Sequence, residues 1–95
     1  MDELKRIREE IDEIDKELVH LFEVRMEKVV LVAEYKAKNK LPIISSSREE
    51  KVLQKNVAYL KNNTFKKPLE EFFISLMNIS KNIQREFYRE KHDEM

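Results

Sequence analysis

The chain has 95 residues, of which 40% are charged and 41% hydrophobic, and its 19 basic and 19 acidic residues give a formal net charge of zero. This charge balance excludes the overall basic field that binds nucleic acid. The lack of cysteine excludes a disulfide framework and thiol catalysis. No apolar run in the sequence is long enough to cross a membrane. With no glycine and two prolines the composition favours helices, so we predict one all-α domain over residues 1–95 in a soluble, cytoplasmic protein.

A single long helix is predicted at the start, over about residues 2–39, because no glycine or proline interrupts this stretch. The helix stops before Leu41-Pro42, since the residue that precedes a proline is pushed away from helical angles. Residues 40–47 are then predicted to form a loop. Globular helices average roughly 10–14 residues, so a helix this long needs partners along its whole length.

The second helix is predicted over about residues 48–62. Ser47 and Glu50 fit a capping box at its beginning, in which each side chain satisfies a free backbone N–H group of the first turn. The apolar positions that form its inner face are Val52, Leu53, Val57 and Leu60.

The third helix is predicted over about residues 67–89, with Pro68 in its first turn, where a missing N–H group is tolerated. Residues 90–95 are a polar tail, which we expect to fray. Three helices and no strand are therefore predicted for the chain.

Two cations interrupt the apolar face of the first helix. That face, at steps of three and four residues, reads Ile7, Ile11, Ile14, Leu18, Leu21, Arg25, Val29, Val32 and Lys36. Arg25 and Lys36 are eleven residues apart, so they return to nearly the same azimuth, about 16 Å apart along the axis. Because a buried cation is costly unless it is paired, we predict that this half of the helix lines a pocket for an anionic ligand.

Each polar residue taken singly also has a simpler interpretation. Arg25 could extend its guanidinium to the surface, and Lys36 is favourable near a helix C-terminus through the helix dipole alone. Ser80 and Gln84, at i and i+4 in the third helix, could be solvated or satisfied at an interface. They could equally bind a polar ligand, since both side chains donate and accept hydrogen bonds.

In combination these residues resemble one known family. The matching pattern reads, in chain order, Arg8, Asp15, Leu18, Leu21, Arg25, Tyr35-Lys36, Pro42-Ile43, Arg48-Glu49 and Met77-x-x-Ser80-x-x-x-Gln84. Each motif alone is weak, but their order and spacing over roughly residues 4–87 are similar to those of the all-helical chorismate mutases.

This resemblance implies an activity and an assembly. Enzymes of the family convert chorismate to prephenate, a [3,3] rearrangement on the route to phenylalanine and tyrosine, with no cofactor, metal or covalent intermediate. They are homodimers of three-helix chains whose long first helices intertwine, which gives two active sites. Some small members of the family associate with a partner enzyme of the same pathway.

The resemblance also implies ten site positions in this chain. Arg25 binds one carboxylate of the substrate, Lys36 contacts the second carboxylate and the ether oxygen, and Gln84 hydrogen-bonds that oxygen from the opposite side. These three are the implied catalytic residues. The other implied substrate contacts are Arg48 with Glu49 at the ring hydroxyl, Ser80 at the ring carboxylate, Val32 and Met77 as apolar walls, Arg8, and Ser45 as a peripheral candidate.

Arg8 cannot share a small ligand with Arg25 of the same chain. The two residues are 17 positions apart, which on a straight helix separates them by about 25 Å and about 100° in azimuth. In the family the arginine at this position reaches into the partner chain's site. The helix geometry permits that arrangement, and it requires a dimer.

Ser45 departs from the family pattern, which commonly has an aspartate three residues before the arginine of the second helix. A serine hydroxyl can still hydrogen-bond a ring hydroxyl, but it contributes no charge. We therefore expect lower substrate affinity or turnover than with an aspartate.

Two other functions remain open from the sequence. An isochorismate pyruvate lyase has the same scaffold and binds a related dicarboxylate, although the Arg48-Glu49 pair and Gln84 favour the mutase. A non-enzymatic dimerisation module would use the first helix as a coiled coil whose embedded charges set the register. The module leaves the agreement of Arg48, Ser80 and Gln84 with one family pattern unexplained.

Overall fold

A computed structural model describes residues 2–43 and 46–94 of the chain. The described residues form three α-helices, α1 (Asp2–Lys38), α2 (Ser46–Ala58) and α3 (Lys66–Glu94), with a short 3-10 helix at Asn63–Phe65. The predicted all-α, three-helix fold is confirmed.

The first helix ends in a hydrogen-bonded turn. The Leu41 N–H donates to the Lys36 carbonyl at 2.8 Å and the Lys40 N–H donates to the Ala37 carbonyl at 3.3 Å, the two bonds of a Schellman motif. Lys40 has a φ of 54°, the left-handed conformation that the motif requires after the helix. Because this turn captures the last carbonyls, α1 ends at Lys38, one residue before the predicted end.

Both ends of α2 differ from the prediction. The helix begins at Ser46, so Ser47, the predicted cap, lies within the first turn. Three consecutive serines offer the same hydroxyl at three successive positions, and the sequence therefore does not specify where the helix starts. At the other end α2 stops at Ala58 instead of 62, where Leu60 N–H bonds to the Val57 carbonyl at 3.0 Å and closes a tight turn.

The 3-10 helix makes the connection to α3. Its cap is Asn62, whose Oδ1 accepts from the Thr64 N–H at 3.0 Å. Its last residue leads directly into α3, which begins at Lys66. The backbone of α3 then continues to Glu94 beyond the predicted end at 89, since no glycine or proline stops it. The fraying predicted for residues 90–95 stays a prediction, and Met95 lies outside the described residues.

The core lies between the C-terminal half of α1 and the middle of α3. Ala33 and Ala37 are completely buried, and Met26 and Leu76 are nearly so. Alanines on this face of α1 let the helices approach closely. Side-chain contacts advance in the same direction along both helices, so α1 and α3 run parallel, and α2 packs against α3.

The N-terminal half of α1 is exposed to solvent. Every residue from Asp2 to Val24 is exposed, including the apolar face, where Ile14 is 61% and Leu21 63% exposed. Within the described residues, one chain alone therefore does not cover the helix along the whole length over which partners were predicted. In the described part of the chain no helix is both long enough and apolar enough to cross a membrane.

The left-handed Lys40 generates a prediction about stability. A side chain with a Cβ pays a steric cost in this conformation that glycine avoids, so Lys40→Gly should raise the free energy of unfolding by about 1 kcal/mol. The matched control is Lys28→Gly in the exposed middle of α1, which should lower it by about 1 kcal/mol. Urea unfolding at one fixed protein concentration measures the free energy of unfolding of both variants. A loss of stability in the Lys40 variant would contradict the left-handed conformation assigned to this turn.

Candidate active site

A cavity of about 180 Å³ lies where α1, the loop after it, α2 and α3 meet. Four of the side chains that line it are cationic and one is a carboxylate, so the cavity has an excess of positive charge. The lining residues are Arg25, Val29, Val32, Lys36, Ile43, Arg48, Glu49, Val52, Met77, Ser80, Lys81 and Gln84.

Ser80 of α3 holds the guanidinium of Arg25. Arg25 Nη1 donates to Ser80 Oγ at 2.6 Å, and the serine hydroxyl donates to the Leu76 carbonyl one turn earlier at 2.8 Å. Ser80 is buried, at 6% exposure. Because the backbone carbonyl fixes where the hydroxyl proton points, the oxygen presents its lone pair to Arg25 and aims the guanidinium across the helix interface.

Lys36, at the end of α1, is held by two acceptors. Its Nζ donates to the Ile43 carbonyl at 2.8 Å and to Gln84 Oε1 at 3.0 Å. An ammonium has three N–H groups, so one is left to donate to a ligand. Gln84 accepts through its oxygen, which leaves its amide N–H groups as donors facing the same cavity.

Withdrawal from water affects the two cations of α1 that line the cavity. Burial, and then the nearby charge of Arg48, lowers the pKa of Arg25, and burial lowers the pKa of Lys36. A cation whose folded-state pKa is lowered destabilises the unligated fold at pH values below that pKa, and the cost fades as the pH rises toward the unfolded pKa. A bound anion would offset this cost, so the cavity is electrostatically suited to receive one.

An ion pair joins α2 to α3 at the cavity wall. Lys81 Nζ lies 3.1 Å from Glu49 Oε1, and the two side chains are 23% and 32% exposed. Glu49 supplies the acceptor among the charged groups of the cavity, since an ionised carboxylate accepts hydrogen bonds and donates none.

The structure brings most of the sequence-derived site residues together. Eight of the ten line this one cavity, namely Arg25, Val32, Lys36, Arg48, Glu49, Met77, Ser80 and Gln84. Arg8 does not line it and is exposed on the N-terminal half of α1. Ser45 lies outside the described residues.

Four lining residues were not among the predicted site residues, although the sequence patterns include three of them, Val29, Ile43 and Val52. Val29 and Lys81 had a detectable signal, because Val29 follows Arg25 by four residues and Lys81 lies four after Met77 and three before Gln84. Val52 follows Arg48 by four residues in the same way. Ile43 contributes its backbone carbonyl to the site. Because every residue carries this group, no sequence pattern could have indicated the contact between the Ile43 carbonyl and Lys36.

A second and larger opening adjoins the cavity. It is an apolar groove of about 400 Å³ between α1 and α3, lined by Leu18, Val19, Leu21, Phe22, Arg25, Phe72, Ser75, Leu76 and Ile79. Arg25 lines both spaces and marks the boundary between them. The groove continues the exposed apolar face of α1 toward its N-terminus.

The arrangement of the cavity can hold a small dianion without covalent chemistry. Arg25 and Arg48 can bind carboxylates with paired N–H groups. The Lys36 ammonium is hydrogen-bonded to Gln84 Oε1, and the remaining N–H groups of both side chains can donate to one oxygen of a ligand. These are the requirements for orienting a substrate and stabilising charge that develops on it.

Comparisons with known proteins assign the chain to a family. The chain is 44% identical over 54 residues to the T-protein of Haemophilus influenzae, and 40% identical over 55 residues to the bifunctional chorismate mutase/prephenate dehydratase of Aquifex aeolicus. The aligned segments cover 57% and 58% of this chain but only 14% and 15% of those relatives. No solved structure matches the chain significantly. The family model for chorismate mutase type II matches residues 7–85, and the chain belongs to that family.

Proposed function

We propose that the chain catalyses the rearrangement of chorismate to prephenate. The observation that carries the proposal is the meeting of Arg25, Lys36, Arg48 and Gln84 in one cavity, within the segment that matches the mutase family. Neither the family match nor the relatives support the lyase or the non-enzymatic module. A cytoplasmic location stays a prediction.

The reaction needs no nucleophile, base or metal. An ether C–O bond breaks while a C–C bond forms within one molecule, and no proton is transferred. The substrate must be held in a compact conformer, which brings the reacting carbons together, and the ether oxygen must be stabilised as it gains negative charge. A cavity with several fixed donors supplies both requirements.

Arg25 would set the orientation of the substrate. Ser80 aims its guanidinium, and a guanidinium binds a carboxylate with two parallel N–H groups, which fixes direction better than a point charge does. Arg48 adds positive charge from α2, close enough to affect Arg25. Val32 and Met77 would close the apolar walls around the ring.

Lys36 and Gln84 would supply the stabilisation that is specific to the transition state. Each has an N–H group left to donate to the ether oxygen, which carries more charge in the transition state than in the substrate. A modest enzymatic acceleration of ~10⁶-fold requires the barrier to fall by about 8 kcal/mol. Removal of a single oxyanion donor typically costs ~10²–10³-fold, so these two residues could provide a large share of it.

The remaining polar residues would recognise the ring. Glu49 would accept from the ring hydroxyl, and Ser80 would support the ring carboxylate through Arg25, whose guanidinium it holds. Ser45 is proposed as a peripheral, uncharged contact to the same hydroxyl.

A second copy of the chain would complete the site. The exposed apolar face of α1 and the adjoining groove call for an apolar partner, and two copies that pair these faces would bury both. Arg8 lies on the same exposed half of α1 and would extend into the partner's cavity. On this proposal the homodimer is needed for both stability and substrate binding.

A link to a second enzyme is also proposed. The Aquifex aeolicus relative is named for two activities, chorismate mutase and prephenate dehydratase. By analogy, the product of this chain would pass to an enzyme that consumes prephenate, either separate or associated with it.

Replacement of Lys36 tests the central role. Lys36→Ala should lower kcat/KM for chorismate by ~10²–10³-fold, because it removes one donor to the ether oxygen. Lys38→Ala, on the exposed last turn of α1, is the matched control and should leave activity unchanged. Loss of chorismate absorbance and identification of prephenate give the rate, and circular dichroism checks the fold. Near-normal turnover by the Lys36 variant would remove this residue from the mechanism.

Replacement of Gln84 by glutamate should make activity depend on pH. A protonated carboxyl group can donate to the ether oxygen and an ionised one cannot, and the Lys36 ammonium, 3.0 Å from the present Oε1, favours the ionised form. Activity should therefore rise as the pH falls from neutrality toward about 4, the ordinary range of a glutamate pKa. The Gln84→Ala variant should gain nothing from acid. A flat pH profile for Gln84→Glu would contradict the contact.

Mixing of inactive variants tests the composite site. An Arg8→Ala chain paired with a Lys36→Ala chain forms a heterodimer with one intact site, because the Arg8 variant keeps its own Lys36 and receives the partner's Arg8. If chains pair at random after refolding of an equal mixture, half of the dimers are heterodimers, and each has one intact site out of two. About a quarter of all sites should therefore be active, which corresponds to about a quarter of the wild-type activity at the same protein concentration. Each variant alone is the control. No recovery above the controls would indicate a site built within one chain.

A further inference from the structure

Lys81 is a cation of the cavity to which neither the sequence pattern nor the proposed mechanism assigns a role. It lies on α3 directly after Ser80, on the face that also carries Met77 and Gln84. Its ammonium is 3.1 Å from Glu49, and its side chain is 23% exposed. The contact joins two helices inside the wall of the site, unlike an ion pair between neighbouring residues of a solvated helix.

The contact engages one oxygen of Glu49. Lys81 Nζ approaches Oε1, which leaves Oε2 to accept a hydrogen bond from a ligand. Because Lys81 is attached to α3 and Glu49 to α2, the pair also restricts the rotamer of Glu49. Ordering a glutamate side chain costs rotamer entropy, and an ion pair that forms before the ligand arrives removes part of this cost from ligand binding.

Other cations compete for the same carboxylate. Arg25, Lys36 and Arg48 all line the cavity and attract Glu49 electrostatically. Contact with any of them would occupy a donor intended for the substrate's negative groups. Lys81 instead binds the carboxylate from the side of α3 and keeps it separate from those donors.

We propose that Lys81 is a positioning residue that holds Glu49 ready to accept the hydroxyl of the dicarboxylate substrate. The pair thereby selects a hydroxylated ring over a ring that lacks this group. The inference rests on the proposed mutase function, because Glu49 would accept a hydrogen bond from the ring hydroxyl of that substrate. Lys81 itself makes no contact with the reacting atoms.

The test combines variants of Lys81 with two substrates. Lys81→Met keeps the length of the side chain and removes its charge, and Lys81→Arg keeps the charge. Lys51→Met, two residues after Glu49 on the exposed side of α2, is the matched control. Each purified full chain is assayed for kcat and KM with chorismate and with the analogue that lacks the ring hydroxyl, and its fold is checked by circular dichroism.

The expected result is a loss confined to the hydroxylated substrate. Lys81→Met should raise KM for chorismate by about tenfold with little change in kcat, because the hydroxyl contact is equal in the ground and transition states. KM for the deoxy analogue should change by less than about twofold, and Lys81→Arg should recover most of the chorismate KM. Lys51→Met should match the wild type with both substrates.

A second background separates positioning from direct binding. In Glu49→Gln, Lys81→Met should have almost no further effect on KM for chorismate, since Lys81 is proposed to act through that carboxylate. The inference would be overturned if Lys81→Met raised KM equally for both substrates, or if it raised KM for chorismate as much in the Glu49→Gln background as in the wild type. Either result would leave the proposed mutase function unaffected. Failure of the wild-type chain to convert chorismate would overturn both proposals.

Discussion

Two partly desolvated cations of α1 determine how the helices of this chain are arranged. Arg25 and Lys36 lie on the face that packs against α3, where a cation without a partner would destabilise the fold. Ser80 and Gln84 supply the partners, at positions four residues apart on α3. These two contacts set the register of α1 against α3, and the cavity is the space that they leave between the helices.

The end of α1 and the cavity share one residue. The Lys36 carbonyl accepts the Leu41 N–H in the turn that closes the helix, while the Lys36 ammonium binds the Ile43 carbonyl just beyond that turn. The turn thus brings a backbone oxygen of the loop to the same ammonium that faces the ligand. The position of this ammonium is set by backbone geometry as well as by Gln84, which is a physical basis for preorganisation in a small chain.

On the proposed function, α1 has a different task in each half. The C-terminal half provides two of the four cations of the cavity, Arg25 and Lys36, and the buried alanines of the core. The N-terminal half exposes an apolar face that a second copy would cover, and it carries Arg8. A chain of this size buries limited apolar surface by itself, so assembly would supply both the missing stability and the missing cation of each site.

The sequence by itself determined the helical class, the length of α1 and the common face of Arg25 and Lys36, because helical periodicity follows from spacing along one chain. It also placed Ser80 and Gln84 one turn apart. It did not determine the ends of α2, since three consecutive serines can each cap its start and the turn and cap hydrogen bonds around 57–64 compete with another helical turn at its end. The Lys81–Glu49 pair and the Ile43 carbonyl contact were decided by the tertiary structure alone. They join separate elements of the chain, and no local spacing encodes the distance between two helices or the direction in which a loop carbonyl points.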